Sequence, residues 1–133
     1  MAFMVMEEDE YLNIPSIDEQ HRSMVDTVND LHSTLGTDRE YYAKHLVGEL
    51  LKKLRVHFDT EENFMKDNKF PNFISHKLEH DRFYNQIFEF KTVLDKGEKK
   101  VNLELLNSVK KWFHNHLEIN DRKIANFLHE KKT

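Results

Sequence analysis

The residues with the greatest potential for chemistry are histidines, nine of which occur in this chain of 133 residues. Five of them form a set with two carboxylates, and several members lie four positions apart, which places both side chains on one face of a helix. Imidazoles bind iron, zinc, copper and nickel, and carboxylates that bridge favour a pair of metal ions over one. The candidate metal ligands are His21, His57, Glu61, His76, His80, His116 and Asp121.

Four amphipathic helices must position these residues. Apolar side chains recur at alternating steps of three and four over about residues 16–35, 38–67, 71–95 and 102–129, after an N-terminal arm at 1–15. Three short connections between long helices force neighbouring helices to run antiparallel. The sequence therefore predicts an all-α fold, an antiparallel up-down-up-down four-helix bundle, as a single domain over residues 1–133.

Local signals indicate where these helices begin. Ser16 with Glu19, and Thr37 with Glu40, have the spacing of capping boxes. In a capping box the first residue caps the helix N-terminus, and the glutamate side chain accepts from the backbone N–H of that residue. Asn102 is the expected cap of the fourth helix.

All seven candidate ligands occupy inward positions, where the repeat predicts apolar side chains. Burying so many ionisable groups would consume a total stability of about 5–15 kcal/mol unless something compensated them. A metal cluster compensates, because it supplies positive charge and accepts electron pairs. The five-residue spacing of His116 and Asp121 would separate them by about 140° on a regular helix. We therefore expect a π-bulge between these two residues.

The order and spacing of these residues resemble those of the hemerythrins, in particular the bacterial hemerythrin-like domains. The resemblance extends over nearly the whole chain, and the local phrases IDEQH, HFDTEE and WFHNH match as well. It implies a cofactor of two iron ions joined by an oxo or hydroxo bridge. It also implies that one iron is bound by His76, His80 and His116, that the other is bound by His21 and His57, and that Glu61 and Asp121 bridge them.

The resemblance further implies a function, the reversible binding of dioxygen for storage, transport or delivery, and no enzymatic activity. If all seven residues bind and one oxygen bridges, two six-coordinate ions keep one position free, enough for a small molecule bound end-on. Dioxygen is the expected partner, and a downstream oxygen-consuming enzyme could receive it. Sensing of oxygen or nitric oxide, and peroxide scavenging, remain alternatives on the same bundle. The lack of an output domain argues against a sensor.

Two positions depart from the pattern of that family. Met6 stands where the family usually has a tryptophan in the arm, and Phe113 stands three residues before His116, where leucine is common. Phe58 and Phe113 are expected first as core residues and second as the dry wall beside the bound oxygen.

The sequence also gives expectations for residues next to the candidate ligands. Asp18 or Gln20 could accept a hydrogen bond from a ligand imidazole. Glu62 follows Glu61 directly, and we expect it to lie in solvent. His114 neighbours His116 in sequence but faces elsewhere on the helix.

Two other classes of metalloprotein are compatible with a helical bundle or with part of the pattern. Ferritin-like di-iron proteins use Glu-x-x-His pairs, yet no glutamate here lies three residues before a histidine. His76, Glu79 and His80 fit the H-x-x-E-H pattern of zinc peptidases, with Glu79 as the general base. On a helix, however, Glu79 would point about 100° away from His80.

Charge and composition give the remaining expectations. The net charge of −4 offers no electrostatic reason to bind nucleic acid. The absence of cysteine excludes disulfides, zinc–thiolate sites and iron–sulfur clusters. Because no apolar run reaches membrane length and the N-terminus lacks a signal-peptide pattern, we expect a cytoplasmic protein that does not insert into membranes. We also expect a monomer.

Overall fold

Four helical rods follow one another in the computed structural model, which describes residues 2–12 and 14–131, without the side chains of residues 9, 128 and 131. A short 3-10 helix, Glu8–Glu10, lies in the N-terminal arm. The long helices are α1 (Pro15–Ser33), α2 (Glu40–Asp67), α3 (Phe73–Asp95), α4 (Leu103–Asn115) and α5 (Arg122–Lys131). No strand occurs within the described residues, and the predicted all-α bundle is confirmed.

The fourth rod is formed by α4, a π-helical segment at His116–Asp121 and α5. Backbone angles stay helical at both junctions, so the three pieces continue one another. The predicted insertion between His116 and Asp121 is thereby confirmed. The wider turn adds the one residue that brings these two side chains to the same face of the rod.

The buried apolar residues form one large cluster and two small ones. The large cluster includes Met24, Phe58 and Phe113, whereas the small clusters include Ile17 with Ala125, and Met65 with Ile124. On three of the four rods the candidate ligands lie in sequence between members of the large cluster and members of a small one. The bundle therefore has a polar layer with apolar packing on both sides. None of the described helices has the length and hydrophobicity of a membrane span.

Two of the three predicted helix caps are wrong. Helix α1 begins at Pro15, a residue favoured in the first turn because its missing N–H would have no partner there, and Ser16 lies inside the helix. Thr37 uses its hydroxyl in the preceding turn, donating to the Thr34 carbonyl at 2.6 Å, and α2 begins only at Glu40. The prediction for Asn102 is confirmed, since its side chain accepts from the Leu105 N–H.

The N-terminal arm is tied to the bundle by buried polar contacts. The Asn29 side chain accepts from the Met4 N–H at 2.8 Å and donates to the Met4 carbonyl at 2.9 Å. The carboxylate of Glu10, which is fully buried, pairs with Nδ1 of His114. His114 therefore faces the arm and not the candidate ligands, as predicted. These contacts hold the arm beside α1 and α4.

Candidate metal centre

All seven candidate ligands meet in the polar layer. Helix α1 supplies one of them, α2 and α3 supply two each, and the π segment supplies one from each end. Each of the seven is at most 6% exposed. The residues that the structure brings together are His21, His57, Glu61, His76, His80, His116 and Asp121.

These side chains form two groups that share both carboxylates. In each group every residue offers one ligand atom, and these atoms lie within 4.8 Å of one another. The first group has three histidines, and the second has two. The first contains His76, His80 and His116 with Glu61 and Asp121, and the second contains His21 and His57 with the same two carboxylates.

Facing imidazole nitrogens show that each group points at a common centre. Nε2 of His21 lies 3.0 Å from Nε2 of His57. Nε2 of His80 lies 3.2 Å from that of His116. Two nitrogens bound at right angles to one ion, at a typical distance of about 2.1 Å, are separated by roughly 3 Å. Each pair thus has the spacing of adjacent ligands on one metal ion.

The two carboxylates lie between the groups. Oδ1 of Asp121 is 2.8 Å from Nε2 of His116, and its Oδ2 is 3.1 Å from Nε2 of His21. Glu61 directs Oε2 to His76, at 3.4 Å, while its Oε1 contacts His57. Each carboxylate therefore turns one oxygen to each group, which is the arrangement of a ligand that bridges two ions.

Several buried polar atoms at this place have no hydrogen-bond partner among the described residues. They include both carboxylate oxygens of Glu61, both of Asp121, and Nε2 of His76. Buried polar atoms without partners are rare and costly in folded proteins. Their convergence on two points fits a pair of cations, with donors that suit iron.

The family comparison gives this geometry its context. Residues 12–128 match the family described as the hemerythrin HHE cation binding domain. The chain belongs to the hemerythrin family. A bacteriohemerythrin from Methylococcus capsulatus is 30% identical over 118 residues, which cover 88% of this chain and 90% of the relative. Another, from Clostridium acetobutylicum, is 28% identical over 127 residues, covering 90% of this chain and 97% of the relative.

A solved structure agrees with the family assignment. A crystal structure of wild-type hemerythrin superimposes on this chain with a TM-score of 0.90 at 28% identity, covering 96% of this chain and 98% of the other. The resemblance noted in the sequence is therefore confirmed, and with it the four-helix bundle. For a hemerythrin the cluster is the expected kind of site, a non-haem metal centre with histidine, glutamate and aspartate ligands.

Protonation states in the cluster follow from burial and mutual charge. Burial lowers the pKa of His80 to about 2, so this imidazole is neutral. For Glu61, burial is the largest single effect and acts to raise the pKa, but the charge on His57 together with contacts from His116 and His21 outweighs it and holds the pKa well below its usual value. Burial acts to lower the pKa of His57, but contacts with Glu61 and Asp121 raise it to about 9, and the pKa values of His76 and His116 are raised as well. Metal ions bind neutral imidazoles and ionised carboxylates, so metal binding would displace protons from these three rings.

An outer hydrogen bond fixes the orientation of the ring of His57, a candidate ligand. Nδ1 of His57 donates to Oε1 of Gln20 at 2.9 Å, and the Gln20 amide donates to Thr60 at 3.1 Å. The sequence offered Asp18 and Gln20 as possible acceptors for a ligand imidazole, and Gln20 is the one that accepts. Asp18 instead accepts from the Leu12 N–H at 2.8 Å and stabilises the start of α1.

The expectation for Glu62 is wrong, because this residue is only 6% exposed. Its Oε2 accepts a hydrogen bond from Nδ1 of His80 at 3.1 Å. Helix geometry explains the error: a residue beside an inward position can still be buried where a neighbouring helix, here α3, packs close to it. Nothing in the spacing of the sequence distinguishes Glu62 from an exposed glutamate.

Glu79 occupies a place outside the cluster. Both of its carboxylate oxygens accept from the Asn120 amide at 2.6 Å, and Oε1 lies 3.8 Å from Nδ1 of His116. It therefore faces the outer nitrogen of a candidate ligand. This is not the place of a general base acting beside His76 and His80, as a zinc peptidase would require.

Aromatic rings line the cluster. Phe58 stacks on His80 with centroids 4.0 Å apart and contacts His57 at 5.8 Å. Trp112 stacks on His116 at 4.5 Å. Phe113 meets His21 edge-on at 5.7 Å. Met6, at the position where the family usually has tryptophan, packs against the large apolar cluster.

Removing His116 tests the ligand set. We expect His116→Ala to lower the affinity for ferrous iron at least about tenfold and to prevent stoichiometric loading, because it removes a donor that lies beside both His80 and Asp121. Iron content after anaerobic loading and desalting measures this. His45→Ala, which changes an exposed histidine on α2, is the control and should load normally. Full loading of His116→Ala would remove this residue from the ligand set.

Proposed function

We propose that this chain binds dioxygen reversibly at a centre of two iron ions, and serves in oxygen storage, transport or delivery and not in catalysis. The observation that carries the proposal is the unequal number of donors in the two groups. Both groups share Glu61 and Asp121, but one adds three histidines and the other adds His21 and His57 alone. The second ion therefore has one protein donor fewer and retains room for a small external ligand.

The residues of the chain divide the work of such a centre. When bound, the pair of iron ions supplies the electrons that dioxygen binding requires. Glu61 and Asp121 would hold the two ions together, since each extends one oxygen to each group. The Gln20 amide keeps the ring of His57 turned so that Nε2 faces the centre.

Two buried phenylalanines favour the release of bound oxygen over its conversion to products. Phe113 contacts His21 in the group with the free position, and Phe58 lies between His57 of that group and His80 of the other. Phe58 and Phe113 are 0% and 4% exposed, and neither carries a proton donor. A dry, apolar border limits the supply of water and protons that would convert a bound oxygen into products. Release of the unchanged ligand is then the favoured outcome.

The first prediction from this proposal is reversible oxygenation. The iron-loaded protein should contain two iron ions per chain, one for each group. After anaerobic reduction it should gain a visible charge-transfer band on exposure to oxygen, and this band should vanish again under vacuum. Repeated cycles in a spectrophotometer measure it. Oxidation without a reversible step would contradict reversible binding, and consumption of added peroxide would favour the scavenging alternative.

Phe113→Leu tests the role of the apolar border. The smaller side chain opens space beside His21, so we expect faster autoxidation with an unchanged iron content. The decay of the oxygen-dependent band over time measures the rate. Phe70→Leu makes the same substitution in a separate buried cluster and is the matched control. Equal rates in the wild type and in Phe113→Leu would show that this ring does not limit access.

A further inference from the structure

Two candidate-ligand imidazoles each donate an outer hydrogen bond, one to a neutral acceptor and the other to a carboxylate. Nδ1 of His57 donates to a neutral amide, Oε1 of Gln20, at 2.9 Å. Nδ1 of His80 donates to a carboxylate, Oε2 of Glu62, at 3.1 Å. His57 belongs to the group of two histidines, whereas His80 belongs to the group of three. The chain thus places a neutral partner on one side of the centre and an anionic partner on the other.

Two cations favour the anionic form of Glu62 and partly offset its burial, which raises the pKa of this carboxyl. Nη2 of Arg55 lies 3.6 Å from Oε2, and Nζ of Lys77 lies 3.9 Å from Oε1. Both cations are partly exposed, so solvent screens them, while the Glu62 side chain is only 8% exposed and directs Oε2 at the imidazole. Glu62 belongs to neither group of candidate ligands in the described part of the chain. Its contact with the centre is the hydrogen bond from His80.

A second carboxylate contributes on the same side. Oε1 of Glu79 lies 3.8 Å from Nδ1 of His116, another member of the group of three. Among the described ion pairs, those of His21 and His57 involve only the shared carboxylates, Glu61 and Asp121. The outer negative charge is therefore concentrated on the group with three histidines.

The charge of an outer partner changes what a ligand imidazole does to its metal ion. A carboxylate that accepts the N–H of the ring raises the basicity of the ligand nitrogen, whereas an amide orients the ring without adding charge. In a buried site such a charge is little screened. A more basic ligand and a nearby negative charge both favour the ferric ion over the ferrous ion. The two iron positions should therefore differ in reduction potential.

We propose that Glu62 is a positioning residue that lowers the reduction potential of the iron bound by His76, His80 and His116, while neutral Gln20 leaves the other iron easier to keep ferrous. This inference rests on the proposed di-iron function. A one-electron oxidant such as ferricyanide then takes the first electron from the iron in the group of three. The iron with the free position keeps its electron until the second step.

The test is a redox titration of the iron-loaded protein with mediator dyes, followed by its visible spectrum. Glu62→Gln keeps an acceptor for His80 but removes the charge. The reduction potential of the iron in the group of three histidines should therefore rise. Gln20→Glu makes the converse change at His57, so the reduction potential of the iron in the group of two histidines should fall. Opposite shifts from these two substitutions at outer hydrogen-bond partners are not expected from a structural role.

Glu49→Gln is the matched control. It removes the same charge from the same helix, thirteen residues before Glu62 and therefore about 20 Å along the axis, on a half-exposed side chain. Its potentials should equal those of the wild type. The inference would be overturned if Glu62→Gln left the reduction potential of the iron in the group of three unchanged, or if Glu49→Gln shifted it equally.

Iron content separates this inference from the function on which it rests. A wild-type protein that binds no iron would defeat the proposed function itself. Normal loading of two iron ions, with unchanged potentials in both Glu62→Gln and Gln20→Glu, would defeat only the role of the outer partners. If Glu62→Gln does not load, Gln20→Glu decides: a fall in potential supports the inference, and its absence overturns it.

Discussion

The structure depends on how the interior of a helical bundle tolerates seven ionisable side chains. Desolvation of an unpaired charge costs several kcal/mol, and a domain of this size has a total stability of only about 5–15 kcal/mol. Hydrogen bonds within the cluster do not solve the problem, because among the described residues both oxygens of Glu61 and of Asp121 have no hydrogen-bond partner and only ion-pair contacts with histidines. Two bound cations would satisfy these oxygens and the facing imidazole nitrogens together. The apolar layers on both sides then keep the polar layer in register.

Backbone geometry gives each helix a defined share in this layer. Helices α2 and α3 each present two side chains four residues apart, which regular helical geometry places on one face. In the fourth rod His116 and Asp121 are five positions apart, and the π segment corrects the angle that a regular helix would give. Because the π segment carries a candidate ligand at each end, a local irregularity of the backbone is tied directly to the site.

Much of this arrangement could be predicted from the sequence because it follows from periodicity. The bundle, the π segment and the convergence of seven polar residues all derive from side chains at known angles along a helix. The starts of α1 and α2 could not be predicted in the same way. Pro15 competes with Ser16 at the first, and a turn captures the hydroxyl of Thr37 at the second. The role of Glu62 depends on how closely α3 packs against α2, which no local pattern encodes.

The most direct measurement of the central claim is anomalous diffraction at the iron edge from crystals of the iron-loaded protein. The account predicts two peaks within the polar layer, one beside His76, His80 and His116 and the other beside His21 and His57. The carboxylates of Glu61 and Asp121 should lie between the peaks. A single peak, or iron bound only at the surface while the seven side chains keep their buried positions, would contradict the account.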